Sequence, residues 1–152
     1  MARTTATLWV LLLVLVAMAA AMEENKLSTD LLRVIHGNTD ARVDVMVQLV
    51  SPAQALQESC EHADAVALDR AQRASCVAES LQSFADQAQR PVKELLAEHG
   101  DLFSDSTFLW ISNSVAVKGA SGELVLALAR LDAVEKIQLE QVIEIQPLGR
   151  AI

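Results

Sequence analysis

The sequence has few of the residues from which catalytic and metal sites are built. Its 152 residues include three histidines, two cysteines and no tyrosine. No histidine lies in an HExxH pair, and neither a nucleophile elbow nor a glycine-rich phosphate loop is present. Cys60, His62 and Cys76 lack the spacing of a standard zinc site. We therefore predict a protein that is not an enzyme and that binds neither a metal nor a cofactor.

Positive charge is also scarce. Twelve lysines and arginines stand against 20 acidic residues, so the net charge at pH 7 is −8. A surface of this sign repels nucleic acid backbones and anionic lipid. We expect no nucleic acid among the partners, and no membrane once the N-terminal leader is removed.

Long hydrophobic runs are limited to the N-terminus. Residues 8–21 read LWVLLLVLVAMAAA, and the only charged side chain before them is that of Arg3. This pattern is typical of a secretion signal, and Ala19 and Ala21 supply the small residues that signal peptidase requires. A membrane anchor is the rival interpretation, but a spanning helix needs about 20 predominantly apolar residues. We predict a signal peptide at 1–21, cleavage near Ala21 and a secreted, extracellular product.

The two cysteines would then enter an oxidising compartment, where a disulfide is the default expectation. Cys60 and Cys76 are 16 residues apart. On one unbroken helix they would be separated by about 24 Å, whereas a disulfide joins Cα atoms within about 7 Å. A Cys60–Cys76 bridge therefore requires a turn between them, and an intermolecular bond or two free thiols are the alternatives.

Hydrophobic periodicity predicts an α+β domain at 42–152, preceded by a helical lead-in at 22–41. The predicted elements are a short helix at 26–37, a strand at 42–50, a long helix at 67–100 that Pro91 should kink or break near Arg90, strands at 107–111 and 115–117, a helix capped by Ser121 and a last strand from Val134. After the lead-in, this order is that of a ferredoxin-like split βαβ sandwich with a long first helix. In that fold, two main helices cover one face of a four-stranded antiparallel sheet.

Parts of the sequence resemble the N-terminal pro-domain of subtilisin-like serine proteases, the inhibitor I9 family. The resemblance rests on VDVMVQLV, on the long helix and on FLWISNSVAVKGASGELVLALARLDAVEKIQLEQVIEI, and it extends from about Arg42 to Gln146. The shared features include an aromatic-rich strand, Asn113 before a short apolar strand, and a valine-led last strand. Members of this family adopt the split βαβ fold, act as intramolecular chaperones of the protease, and inhibit it by laying their C-terminal segment in the substrate cleft.

The resemblance implies that Ile143, Glu144, Ile145 and Gln146 occupy the cleft of the protease. Gln146 would then precede the scissile position, and Ile143 would fill an outer hydrophobic pocket. Pro147 would follow the scissile bond, where a proline resists cleavage and favours lasting inhibition. Core positions for Ile143 and Ile145 in the last strand are the alternative.

The sequence contains no Asp, His and Ser blocks of a protease catalytic domain. Three interpretations follow from this: a free secreted inhibitor or chaperone, a fragment of a longer pro-protease, and a secreted interaction module that does not inhibit. We expect the first.

Overall fold

The computed structural model describes residues 25–38, 40–57 and 69–141. Its elements in chain order are α1 (Thr29–Gly37), β1 (Arg42–Leu49), α2 (Ala53–Leu56), α3 (Arg70–Ala88), α4 (Arg90–Glu98), β2 (Asp105–Leu109), β3 (Ser114–Ser121), α5 (Gly122–Ala129) and β4 (Val134–Leu139). The predicted signal peptide lies outside the described residues. Within the described ranges, no helix has the length and apolar character needed to cross a membrane.

The four strands form one sheet in the order β2-β3-β1-β4, and every neighbouring pair is antiparallel. The connection from β1 to β2 leaves room for β3 between them, and the connection from β3 to β4 leaves room for β1. This interleaving is the split βαβ topology. The predicted α+β, ferredoxin-like fold class is therefore confirmed.

Alternate side chains of β1 separate the two faces of the sheet. Val43, Val45 and Val47 are buried, whereas Asp44 and Gln48 are exposed. The buried side chains join one hydrophobic core, to which the helices α1, α4 and α5 contribute. Its helical members are Leu31, Ile35, Val92, Leu96, Leu124, Val125, Leu128 and Ala129. We call the opposite side of the sheet, which carries Asp44 and Gln48, the open face.

The predicted long first helix is divided into two helices. α3 ends at Ala88, and α4 begins at Arg90 after a break at Gln89. Pro91 lies in the first turn of α4. Backbone N–H groups in a first turn have no hydrogen-bond partner within the helix, so a proline is tolerated there. The predicted break near Arg90 is thus correct, and the fixed backbone of the proline accounts for it.

The first part of the predicted long helix, α3, is buried only towards its end. Ala85 is the buried residue of α3, while Ala71, Ala74 and Val77 are exposed. Alanine buries little apolar area, so its regular spacing provides a weak force for packing. The periodicity therefore overestimated how much of this helix enters the core.

The N-terminal lead-in covers the outer edge of β4. The N–H of Ser28 donates to the carbonyl of Ile137 at 2.9 Å, and the N–H of Ile137 donates to the carbonyl of Lys26 at 2.8 Å. These bonds surround a parallel bridge between Leu27 and Ile137. At the other side of the sheet, the outer edge of β2 pairs with no strand of the described part.

Candidate functional site

Four charged side chains lie side by side across one end of the open face. Asp105 on β2 pairs with Lys118 on β3, and Lys118 is next to Asp44 on β1. Glu140, directly after β4, completes the row beside Asp44. This is the end of the sheet at which the chain leaves β4 towards residues 142–152.

Lys118 joins two of these carboxylates. Its Nζ lies 3.4 Å from Oδ2 of Asp44 and forms a hydrogen-bonded ion pair with Glu140. The side chain of Asp44 is 51% exposed and that of Glu140 is 25% exposed. We call Asp44, Lys118 and Glu140 the triad. Because it joins β1, β3 and the residue after β4, it ties three strands together at their charged end.

The electrostatics of the triad favour its charged form. The N–H of Gly119 donates to Oδ1 of Asp44 at 2.8 Å and, with Lys118 nearby, lowers the pKa of that carboxyl. The hydrogen bond to Glu140, with added attraction from both carboxylates, raises the pKa of Lys118. Asp44 and Lys118 are therefore both charged across the neutral pH range.

Gly119 gives the backbone the shape that the triad needs. The register between β1 and β3 shifts between Val43 and Val45, so β3 carries an extra residue opposite Asp44. Gly119 has a φ of +58°, and a Cβ at this position would lie 2.9 Å from Oγ of Ser104. A residue without a side chain is therefore required here. The bulge directs the Gly119 N–H at the carboxylate of Asp44.

The triad also fixes the start of the C-terminal tail. The N–H of Glu140 donates to the carbonyl of Asp44 at 2.9 Å, so backbone and side chain of Glu140 are both bound. Ile143, the first predicted cleft residue, follows three residues later, within about 10 Å of extended chain. Ile143, Glu144, Ile145, Gln146 and Pro147 themselves lie outside the described residues.

The other residues considered from the sequence do not join this site. His99, one of the three histidines, directly follows α4 and lines a cavity of about 300 Å³ with Leu102, Leu126 and Arg130. Cys76 forms a disulfide. Cys60, the only other cysteine of the chain and its predicted partner, lies outside the described residues. The described ranges contain no group of three or more side chains suited to hold a metal ion.

Comparison of the chain with protein-family models, with characterised proteins and with solved structures finds no match. The resemblance to the inhibitor I9 family therefore stays a prediction from the quoted residues.

Proposed function

We propose that this chain is a secreted inhibitor and folding chaperone of a subtilisin-like serine protease, with the open face against the enzyme and residues 143–147 in its cleft. The observation that supports the proposal is the bound start of the tail. Glu140 is held by Asp44 and Lys118, so the tail leaves the domain from a defined position. Restricting a binding segment in advance reduces the entropy lost when it docks.

The physical basis of inhibition is strand addition. An extended tail gains main-chain hydrogen bonds along the edge of a cleft, and its alternate side chains enter pockets. Between Glu140 and Gln146 the chain can span at most about 20 Å. The cleft must therefore lie close to the charged end of the sheet, which requires the enzyme to contact the domain itself.

The tail mechanism is tested by removing residues 141–152 and measuring inhibition of a panel of subtilisin-like proteases. We expect the deletion to abolish inhibition while thermal unfolding changes little, since β4 ends at Leu139. Ile143→Ser should weaken inhibition, and the matched change Ile152→Ser, beyond the predicted cleft segment, should not. Inhibition by the truncated chain equal to that of the full chain would show that the tail mechanism is wrong.

The position of Pro147 gives the proposal a second readout. Pro147→Ala should turn a lasting inhibitor into one that the protease cleaves, so inhibition should decay during incubation. Mass spectrometry should then locate the new C-terminus at Gln146. Cleavage at another bond would correct the register of the tail.

The alternative function is a secreted interaction module that does not inhibit. The observation in its favour is the outer edge of β2, which pairs with no strand of the described part and could accept one from a partner. Failure to inhibit any enzyme of the panel, together with a stable dimer through this strand, would favour the alternative.

A further inference from the structure

Three consecutive large apolar side chains are exposed where β2 turns into β3. Leu109 is 39% exposed, Trp110 37% and Ile111 66%. We call these residues the apolar tip. Of the described residues, the only other large apolar side chain with comparable exposure is Val77, which stands alone on α3. Single exposed apolar residues are ordinary, but contiguous patches mark interaction sites.

The backbone of the apolar tip is held by hydrogen bonds from two buried residues, Gln89 and Asn113. Gln89, only 2% exposed at the break between α3 and α4, donates through Nε2 to the carbonyl of Leu109 at 3.3 Å. Asn113, only 1% exposed, donates through its backbone N–H to the carbonyl of Trp110 at 3.3 Å. Burying an amide is unfavourable unless it is hydrogen-bonded, so both side chains fix the geometry around them.

Asn113 also anchors the apolar tip to the end of β1. Its carbonyl accepts from the N–H of Leu49 at 3.1 Å, and its Nδ2 donates to the carbonyl of Val50 at 2.8 Å. Its φ of +45° closes the turn in the left-handed region. Trp110 and Ile111 are therefore presented by a prearranged backbone, which lowers the entropy lost on binding.

The area of the apolar tip limits what can bind it. Exposed fractions of this size on Leu, Trp and Ile correspond to roughly 300 Å² of surface. A stable protein interface needs about 800 Å² from each partner. The apolar tip can therefore be only one part of a larger interface, and its partner must also contact neighbouring surface.

The neighbouring surface is the open face. Leu109 pairs with Ser114, which also pairs with Gln48, and Gln48 pairs with Lys136. Leu109 thus belongs to the row of open-face residues at the end opposite the triad. Asp44 in the triad and Gln48 in this row are four residues apart on β1, so the two rows are separated by about 13 Å. An enzyme that covers the open face with the tail in its cleft would reach the apolar tip.

Charge argues against a second copy of this chain as the partner. Each copy carries a net charge of −8, so pairing two copies brings like charges together. The same charge opposes docking on anionic lipid. We propose that the apolar tip is a second docking site for the subtilisin-like protease, on an apolar patch of the enzyme outside its cleft, an inference that rests on the proposed function.

The test compares three variants of the full-length chain. They are the double variant Trp110→Ser/Ile111→Ser, the single variant Ile111→Asp, and the matched control Val77→Ser. Because truncation of a binding hot spot costs at least about 2 kcal/mol, the double variant should weaken inhibition at least about 30-fold. Ile111→Asp should weaken it in the same direction, and Val77→Ser should leave it within about twofold. Urea unfolding should show that all variants are folded under the assay conditions, and Ile111→Asp should be closest to the unaltered chain because Ile111 is the most exposed of these side chains.

A binding measurement separates the apolar tip from the tail. The chain lacking residues 141–152 should bind, weakly, a protease whose active site is blocked by a covalent inhibitor, and the double variant should abolish this binding. If the unaltered chain inhibits the protease and both tip variants inhibit it equally well, the inference is wrong and the proposed function stands. If the unaltered chain inhibits no protease of the panel, the proposed function fails first.

Two other outcomes would assign the apolar tip to a different partner. Loss of a concentration-dependent dimer in the double variant, with inhibition unchanged, would assign it to a second copy. Loss of binding to phosphatidylcholine vesicles, with inhibition unchanged, would assign it to a lipid surface. Either result overturns the inference.

Discussion

Asn113 combines a left-handed backbone with a buried side chain, and this combination yields a sharp prediction. Its φ is +45°, its side chain is 1% exposed, and its Nδ2 donates to the carbonyl of Val50 at 2.8 Å. Its Oδ1 is buried without a hydrogen-bond partner in the described part of the chain. Glycine, alanine and aspartate at this position each remove a different part of the arrangement.

The magnitudes follow from what each variant loses. Asn113→Gly keeps the left-handed backbone but loses the bond to Val50 and adds freedom to the unfolded chain, which together destabilise by about 2 kcal/mol. Asn113→Ala loses the same bond and adds about 1–2 kcal/mol of backbone strain. Asn113→Asp tolerates the backbone, but its buried carboxylate cannot donate to the Val50 carbonyl, so we expect a loss above that of alanine at pH 7.

Aspartate at this position should also make stability depend on pH. Burial raises the pKa of a carboxyl group in the folded state above its unfolded value. The penalty is therefore small below the unfolded pKa, where the protonated group can donate, and it grows as the pH rises above that value. The variant should be closest to the unaltered chain near pH 4 and furthest from it at neutral pH.

Urea unfolding at 25 °C, followed by circular dichroism at pH 4 and pH 7, measures these differences. The predicted order of destabilisation at pH 7 is glycine, then alanine, then aspartate. If glycine were as destabilising as alanine, backbone strain would not be the reason for asparagine here. If aspartate were tolerated at pH 7, the bond to Val50 would not matter.

The triad and its bulge give two more predictions. In an NMR titration of the unaltered chain, the pKa of Asp44 should lie below its ordinary value. The stability that ionised Asp44 contributes should be fully present above the unfolded pKa and should be lost as the pH falls through the folded pKa. In Lys118→Met the pKa of Asp44 should rise only part of the way to its ordinary value, because the hydrogen bond from the Gly119 N–H, the main cause of the lowering, remains. A full return to the ordinary value would show that Lys118 is the main cause instead. Gly119→Ala should destabilise by about 1–3 kcal/mol in urea unfolding, from its positive φ and its contact with Ser104, and Ser104→Gly added to it should recover part of the loss. Because Ser104→Gly also removes the Ser104 Oγ bond to the Lys118 carbonyl, its own cost is measured alone; two losses that simply add in the double variant would exclude the contact as a cause.

Local signals in the sequence predicted the start of α5, whereas α1 and α3, which begin at Thr29 and Arg70, each start three residues after the predicted positions 26 and 67. Ser121 caps α5 by accepting from the N–H of Leu124 at 3.3 Å, as predicted. Ser28 accepts from the N–H of Leu31 at the start of α1. Caps depend on atoms within one turn, so their residue types reveal them.

Strand boundaries were predicted less well because they depend on distant partners. The β-rich run at 107–111 predicted a strand two residues later than the observed β2, which ends at Leu109. Trp110 and Ile111 have strand-type side chains, but the hydrogen bonds of Gln89 and Asn113 turn the chain at this point. The Gln89 bond joins residues that are 20 apart in the sequence, which a local pattern cannot relate.

The triad could not be predicted for the same reason. Asp44 and Lys118 are 74 residues apart, and the period-two pattern of β1 indicated only that Asp44 faces away from the core. Their contact depends on the strand order and on the bulge at Gly119. The tail residues, in contrast, were predicted from the family resemblance, which concerns a binding segment rather than the packing of the domain.

The two ends of the open face use different chemistry to fix what they present. At one end, exposed charges hold the start of the tail, and such pairs weaken as salt screens them. At the other end, buried amides hold the apolar tip, and buried hydrogen bonds respond little to salt. If both ends contact the protease, raising the salt concentration should weaken the contribution of the tail more than that of the apolar tip. The residual affinity at high salt should then depend mainly on Trp110 and Ile111, because burial of apolar surface persists when charges are screened.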